Sequence, residues 1–385
     1  MDFVFTEEQQ MIRDTAESFL AEVSTSEAVR KAMASDTGFD DALWQQICAE
    51  MYWQAIHIPE EFGGMGLGCV ELVAMMEQMG RYLLCAPFYS TVCLGVNTLL
   101  LAASEEQKAN YLTAICEGSL TATLAYCGPR GGRSADAITA KYREDGDSIV
   151  INGESSFVVD GMTAGLILVA ARAEGSSGEE GVSLFAVPAD TAGLERKNLP
   201  TLDQTRKMAA LSFSELKIFA ENRLGDAGNG WPVLDKALDL ATIALAAEQM
   251  GGSQQLLDST VDYTKERVQF NRPIASFQSI KHKAADMMLR VEAARSAVYY
   301  AACVADEALQ NGPLANELAE AASIAKAYCS EAYFKNAGES MQMHGGVGFT
   351  WEYDVHLYFK RAKGSEHMLG NPSWHRERLA GVVLD

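Results

Sequence analysis

The chain has 385 residues, 48% of them hydrophobic and 22% charged, with a formal net charge of -21. That length and apolar content suit a soluble globular protein of two or three domains with substantial cores. The acidic balance argues against nucleic acid, whose phosphates it would repel, but not against a small anion held by a local basic patch.

Acidic Asp2, Glu7 and Glu8 stand where a signal peptide needs a basic and then an apolar stretch, so a cytoplasmic location is expected. The eight cysteines form no Cys-x-x-Cys pair and lie in apolar contexts, which points to buried free thiols rather than disulfides or zinc. His344, His356, His367 and His375 show no recurrent metal spacing, and no metal is expected.

In chain order, Thr6-x-x-Gln9 is a capping-box pattern, and Met11, Ile12, Ala16, Phe19 and Leu20 follow helical spacing. Further helical patterns cover 40 to 51, 69 to 80 and 105 to 116, the last opened by a second box, Ser104-x-x-Gln107. Residues 82 to 103 carry no charge. Pro87, Ser90, Thr91 and Asn97 make them a bend followed by a buried helix rather than a membrane span. Residues 1–118 therefore read as a helical domain. From 119 to 228 the pattern changes to short apolar runs, at Thr123 to Tyr126, Ser148 to Ile151, Phe157 to Val159, Leu166 to Ala170 and Leu184 to Val187. Asp145-Gly146 is a hairpin signal and Glu174 to Gly181 a polar loop. These runs predict a small β-barrel or sandwich. After Gly228-Asn229-Gly230 helical periodicity returns with Pro232 in the first turn, and Leu318, Ala321, Ala325, Tyr328 and Ala332 step by three and four. Residues 229–385 thus predict a bundle of long helices.

Two segments carry the functional signal. Gln342-Met343-His344-Gly345-Gly346-Val347-Gly348-Phe349 puts three glycines in four residues after a helical pattern, leaving a backbone that another molecule can approach closely. Tyr263-Thr264-Lys265-Glu266-Arg267-Val268-Gln269-Phe270-Asn271-Arg272-Pro273-Ile274 continues to Phe277-Gln278 and Lys281-His282-Lys283. From 264 to 283 there are five Lys/Arg and one acidic residue, a concentration of positive charge against the overall balance.

Together these segments resemble the acyl-CoA dehydrogenase family, whose patterns are Arg-x-x-Phe-Gly-x-Pro-Ile followed by Phe-Gln, and later Gln-x-x-Gly-Gly-x-Gly. Phe3 to Gln10 resembles the family's opening helix, Pro59-Glu60-Glu61-Phe62-Gly63-Gly64 its Pro-Glu-x-x-Gly-Gly turn, and Gly80-Arg81 the end of the next helix. The resemblance implies an α+β, mainly α fold, with a helical N-terminal domain, a middle β domain and a C-terminal four-helix bundle. It also implies FAD-dependent α,β-desaturation of an acyl-CoA thioester, with electrons passed to an electron-transfer flavoprotein, in a homotetramer or an α2β2 heterotetramer. The bacterial branch that includes subunits acting on sterol side-chain thioesters is the most similar.

Carried over residue by residue, the resemblance places Arg267 and Phe270 against the diphosphate and adenine of a neighbour's FAD, joined by Gln342, Gly345 and Gly346, with Phe277 and Gln278 beside it. Asn271 replaces the family's glycine. The chain's own half of the site departs further. Cys127-Gly128-Pro129-Arg130-Gly131-Gly132-Arg133-Ser134 stands for Thr-Glu-Pro-x-x-Gly-Ser-Asp, and Phe157-Val158-Val159 for Trp-Ile-Thr or Ser. Val159 can offer the flavin edge no side-chain hydrogen bond. The two family positions for the catalytic base hold Leu369 and Ala241, the latter followed by Thr242, and none of these accepts a proton. Glu248 and Glu366 are the nearest carboxylates, with Glu248 about two turns, roughly 10 Å, past Ala241. Three readings stay open: a dehydrogenase, a non-catalytic subunit that completes a partner's FAD sites, and an oxygen-reactive relative.

Overall fold

A computed structural model describes residues 5–384, so Phe3 of the opening motif and the terminal Asp385 lie outside the described residues. The chain divides into two compact units. The first draws on the chain up to Lys31, on Gly68–Leu84 and on everything from Thr242; the second draws on Ala32–Leu67 and Cys85–Ala241.

Helices α1 (Glu7–Val23), α4 (Cys69–Arg81), α8 (Gln278–Leu309), α9 (Leu318–His344), α10 (Val355–His367) and α11 (Pro372–Leu384) belong to the first unit, with most of α7 (Trp231–Glu266). The Thr6 box is formed: its hydroxyl accepts from Gln9 N and its own N–H donates to the Gln9 side chain, at 3.2 and 3.0 Å. On α9, Leu318, Ala321, Ala325 and Ala332 are buried as expected, whereas Tyr328 is 39% exposed. The buried stripe runs through Cys329 instead, one position round the helix.

Two helices of this unit approach backbone to backbone. A Cβ added to Gly80 on α4 would lie 2.0 Å from the carbonyl oxygen of Glu248 on α7, and one added to Gly251 would lie 1.8 Å from that of Glu77 on α4. The two glycines sit reciprocally across one helix crossing, and no side chain fits at either. Glu77 and Glu248 are thereby drawn into the interior, where each is under 5% exposed. Arg295 and the Tyr299 hydroxyl of α8 meet the Glu77 carboxylate, at 3.4 and 2.6 Å.

In the second unit lie α3 (Asp41–Gln46), α5 (Asn97–Ala102), α6 (Glu105–Cys116) and an eight-stranded sheet; α2 (Ser26–Ala34) crosses the division of the chain. The strands are β1 (Ala122–Ala125), β2 (Lys141–Asp145), β3 (Ser148–Val159), β4 (Leu166–Ala173), β5 (Val182–Pro188), β6 (Leu194–Asn198), β7 (Met208–Phe219) and β8 (Arg223–Leu224). Their order is β6-β7-β3-β2-β4-β5-β8, with β1 parallel on β4, and the Asp145-Gly146 hairpin joins β2 to β3. The two runs expected at Ser148 to Ile151 and Phe157 to Val159 are one 12-residue strand. Two register shifts against β7 absorb the polar residues between them, one of them at Gly153, whose φ is +120°.

The uncharged stretch after Pro87 is a buried helix, wound as a π-helix from Tyr89 to Val96 before α5. Two of its polar side chains reach back along the helix, Asn97 donating to Cys93 O and Thr98 to Leu94 O, both at 2.8 Å, while Ser90 donates to Asp160 at 2.6 Å. Among the described residues no helix is long and apolar enough to cross a membrane, and all eight cysteines are free.

Gly251→Ala is expected to cost roughly 1–3 kcal/mol or more, because backbone rather than a mobile side chain must give way. Urea denaturation with an unchanged m-value checks it; a midpoint equal to wild type would show that the crossing has slack.

Candidate functional site

Between α7 and α8 the chain forms a short arm. β9 (Val268–Gln269) and β10 (Arg272–Pro273) pair antiparallel, with Arg272 opposite Gln269 and Pro273 opposite Val268. Their two-residue connection, Phe270-Asn271, has φ of +54° and +59°. Positive φ at both positions marks a type I′ turn, whose twist matches that of the strands it joins. Asparagine tolerates this region, which explains how Asn271 can stand where the family reads glycine. A bulky aromatic does not, so Phe270 carries strain on the order of 1–3 kcal/mol. Its side chain nonetheless projects outward, with the residue 86% exposed. Arg267 and Gln278 are exposed beside it, and Phe277 caps the start of α8.

The glycine-rich segment begins at the end of α9. Gly345 has φ +64° and ψ -143°, a conformation essentially reserved for glycine. Gly346 has an ordinary φ, and a Cβ added to either would find nothing within 4 Å. Nothing in the chain itself asks for a glycine at 346; the space is open to a molecule from outside. The ends of α7 and α9 are tied together by Tyr263, whose ring stacks on His344 at 4.2 Å and whose hydroxyl donates to His344 O at 3.2 Å. Burial pushes the His344 imidazole below its ordinary pKa. Arg267 and Phe270 on the arm, Gln342 in the last turn of α9, and Gly345 and Gly346 on the loop after it are thus brought to adjoining helix ends. Exposed aromatic rings, an exposed guanidinium and open glycine backbone fit a flat, phosphate-bearing nucleotide such as FAD.

The corresponding region of the second unit is closed on itself. At the second register shift of β3, between Ser155 and Val158, Phe157 has φ +58° and is 47% exposed. Val159 is buried, and its carbonyl already accepts from the Thr123 hydroxyl at 2.6 Å. The next N–H, of Asp160, is taken by Lys207 O at 3.0 Å. Ser156 N donates to Cys127 O at 2.7 Å, laying the 127–134 loop against this bulge. Arg133 then turns inward, 1% exposed, and pairs with Asp235 and Asp239 in the first turns of α7.

None of the positions read as base positions carries a proton acceptor. Ala241 and Thr242 are fully buried on α7, and the Tyr89 hydroxyl donates to Ala241 O at 3.0 Å. Leu369 is 5% exposed with φ +55°. Its strained backbone is pinned: His375 Nε2 lies 3.0 Å from Leu369 O, and the fully buried Lys326 ammonium donates to Ser365, Glu366 and Gly370 carbonyls at 3.1 to 3.2 Å. Burial pushes Lys326 down to about 7. Glu248 meets Arg361 at 2.8 Å with both side chains buried, and the Glu366 carboxylate meets Lys363 at 2.9 Å. Both carboxylates are ion-pair partners in this arrangement.

Residues 6–119, 123–216 and 228–384 match the N-terminal, middle and C-terminal domains of acyl-CoA dehydrogenases in turn. The chain is a member of the acyl-CoA dehydrogenase family. It is 34% identical to acyl-CoA dehydrogenase IpdE2 of Mycobacterium tuberculosis over 379 residues, 98% of each chain. Among solved structures it is similar to butyryl-CoA dehydrogenase of Megasphaera elsdenii, at 27% identity and a TM-score of 0.92 over the whole of both chains. It is also similar to a chain of the ChsE4-ChsE5 complex of Mycobacterium tuberculosis, at 26% identity and a TM-score of 0.88 over 100% of this chain and 99% of that one. The chain is accordingly an oxidoreductase of the acyl-CoA dehydrogenase class, a class of FAD-binding flavoproteins.

Sequence reading marked the 127–134 loop as a departure but did not find the role of Arg133. The available signal was Asp235 and Asp239, spaced one helical turn apart on α7 and able to face a single cation. The pinning of 369 by Lys326 and His375 was missed as well, since long-range contacts leave no local pattern.

Arg361→Leu takes the guanidinium away from a carboxylate that stays buried, and is expected to destabilise by about 3–5 kcal/mol, whereas Glu248→Leu/Arg361→Leu recovers most of that. Urea melts of the single and double variants check this; a neutral single variant would show that Glu248 does not depend on Arg361.

Proposed function

We propose that this chain acts in the α,β-desaturation of an acyl-CoA thioester, as a subunit whose 268–273 arm completes the FAD site of a neighbouring subunit. The observation that carries the reading is Phe270: strained, 86% exposed and fixed at the tip of a hairpin beside an open glycine loop. Strain of this kind persists where the surroundings hold it for a purpose, and a ring presented to solvent serves something outside the chain. FAD, when bound, supplies the hydride acceptor for the β-hydrogen, and an electron-transfer flavoprotein is the acceptor the reading assigns beyond it. Arg267 would face the diphosphate, Phe270 the adenine, and the Gly345 and Gly346 backbone would let the ligand approach.

The α-proton needs a carboxylate or a comparable base, because its acidity is low even beside a thioester. Leu369, Ala241 and Thr242 offer none, and Glu248 is held by Arg361. This supports a second reading, in which the chain is a non-catalytic subunit of a mixed tetramer and the base belongs to its partner.

Visible spectroscopy of the purified chain, alone and mixed with a second family member, separates the two. A colourless chain that gains about half a FAD per protomer only in the mixture, bleached there by acyl-CoA, supports the second reading. A yellow chain with about one FAD per protomer that is bleached alone by acyl-CoA supports a self-sufficient dehydrogenase. In whichever assembly binds flavin, Phe270→Ala is expected to weaken FAD binding by about 1–3 kcal/mol, the scale of base-on-aromatic stacking. FAD affinity unaffected by that change would remove the arm from the site.

A further inference from the structure

The arm holds a stack of three side chains in which the outermost, Arg272, has no role in the reading above. The Arg272 guanidinium carbon lies 4.0 Å from the centroid of the Phe277 ring. Phe277 in turn meets Phe270 edge to face, with centroids 6.1 Å apart and planes at 82°. Phe277 is fixed at the N-cap of α8, and Ile274 N donates to Arg267 O at 2.8 Å to close the base of the arm. The pairing of Arg272 with Gln269 sets its side chain one step from the strained turn.

We infer that Arg272 is a positioning residue: it clamps Phe277 from one face, so that Phe277 braces Phe270 in its left-handed, outward-pointing conformation for the adenine of a bound dinucleotide. The inference rests on the reading of the arm as a cofactor-binding element, but the clamp can be tested apart from it. A two-stranded hairpin of this length is barely stable alone, and a residue at positive φ with a large side chain favours its collapse. The ladder between β9 and β10 is only two residues long on each strand, so side-chain stacking must supply what backbone pairing cannot. A planar guanidinium suits this task because it stacks on a ring face while its N–H groups stay in water, which a lysine does less well. The alternative role for a cation here is direct contact with the cofactor's phosphates. That role makes a different demand: affinity would depend on the charge of Arg272 and on ionic strength, rather than on the order of the hairpin.

The test compares Arg272→Met with wild type in whichever assembly binds flavin, with two readouts. Hydrogen exchange followed by mass spectrometry on peptides covering 267–277 is expected to show loss of protection in the variant, while peptides from β4 stay unchanged. FAD affinity, followed by quenching of flavin fluorescence, is expected to fall about threefold, the scale of an exposed cation–π contact. The dependence of that affinity on salt is expected to keep its wild-type slope. Unchanged exchange over 267–277 overturns the clamp. Faster exchange with unaltered FAD affinity overturns positioning as the purpose of the clamp, while the reading of the arm stands or falls separately with Phe270→Ala. A fall in affinity together with a shallower salt slope overturns positioning in favour of direct phosphate contact. Arg272 is exposed and packs in neither the sheet core nor the core of the helical unit around Tyr333, so the variant is expected to fold.

Discussion

Two glycines decide where the charges of the first unit go. Gly80 and Gly251 let α4 and α7 touch through their backbones, and the same contact carries Glu77 and Glu248 into the interior. A carboxylate drawn out of water must meet a cation or lose its charge. Arg295 of α8 comes to one and Arg361 of α10 to the other, so the placement of two further helices follows from a contact that involves no side chain. Glu248, about two turns past Ala241 on α7, is thereby spent on structure as the partner of Arg361.

Backbone strain in this chain is not scattered. Among the described residues nine non-glycine residues have positive φ; Phe157, Phe270, Asn271 and Leu369 fall in the segments that the family resemblance marks for cofactor or base, and Asp160 directly follows one of them. Each is held by a contact that can be named: the bulge of β3 for Phe157, the Lys207 carbonyl for Asp160, the hairpin for Phe270 and Asn271, and His375 with Lys326 for Leu369. The scaffold therefore keeps its unusual geometry even around positions where the residue type departs from the family pattern, such as Val159 and Leu369. The outward-facing elements differ from these in keeping their shape and, apart from Asn271 in place of glycine, their residue types.

Much of the architecture was legible in the sequence because it is written locally. The Thr6 and Ser104 capping boxes, Pro232 in the first turn of α7, the Asp145-Gly146 hairpin and the glycine-rich end of α9 all report on their own neighbourhood. The Arg267 to Gln278 segment was legible for a different reason, since its residues match a known pattern at matching spacing. What was not legible depends on residues far apart. The merging of two apolar runs into one bulged β3 is decided by pairing with β7, where Val150 meets Lys217, 67 positions on. The exposure of Tyr328 depends on which face of α9 its neighbours cover, and the inward turn of Arg133 depends on acids about a hundred residues later. Departures from the family pattern were readable; what fills the gap was not.

The geometry at Leu369 has an implication for how such a chain could change. Its main chain sits in a left-handed bend secured from two sides, and an isobutyl group stands at the position that the family resemblance reads for the base. Chemistry of that kind is one side chain deep: it can be switched off, or regained, by a single codon without rebuilding the wall that presents it. Subunits sharing this scaffold could therefore trade catalytic and supporting roles by very short mutational routes, with the fold acting as the common inheritance of both.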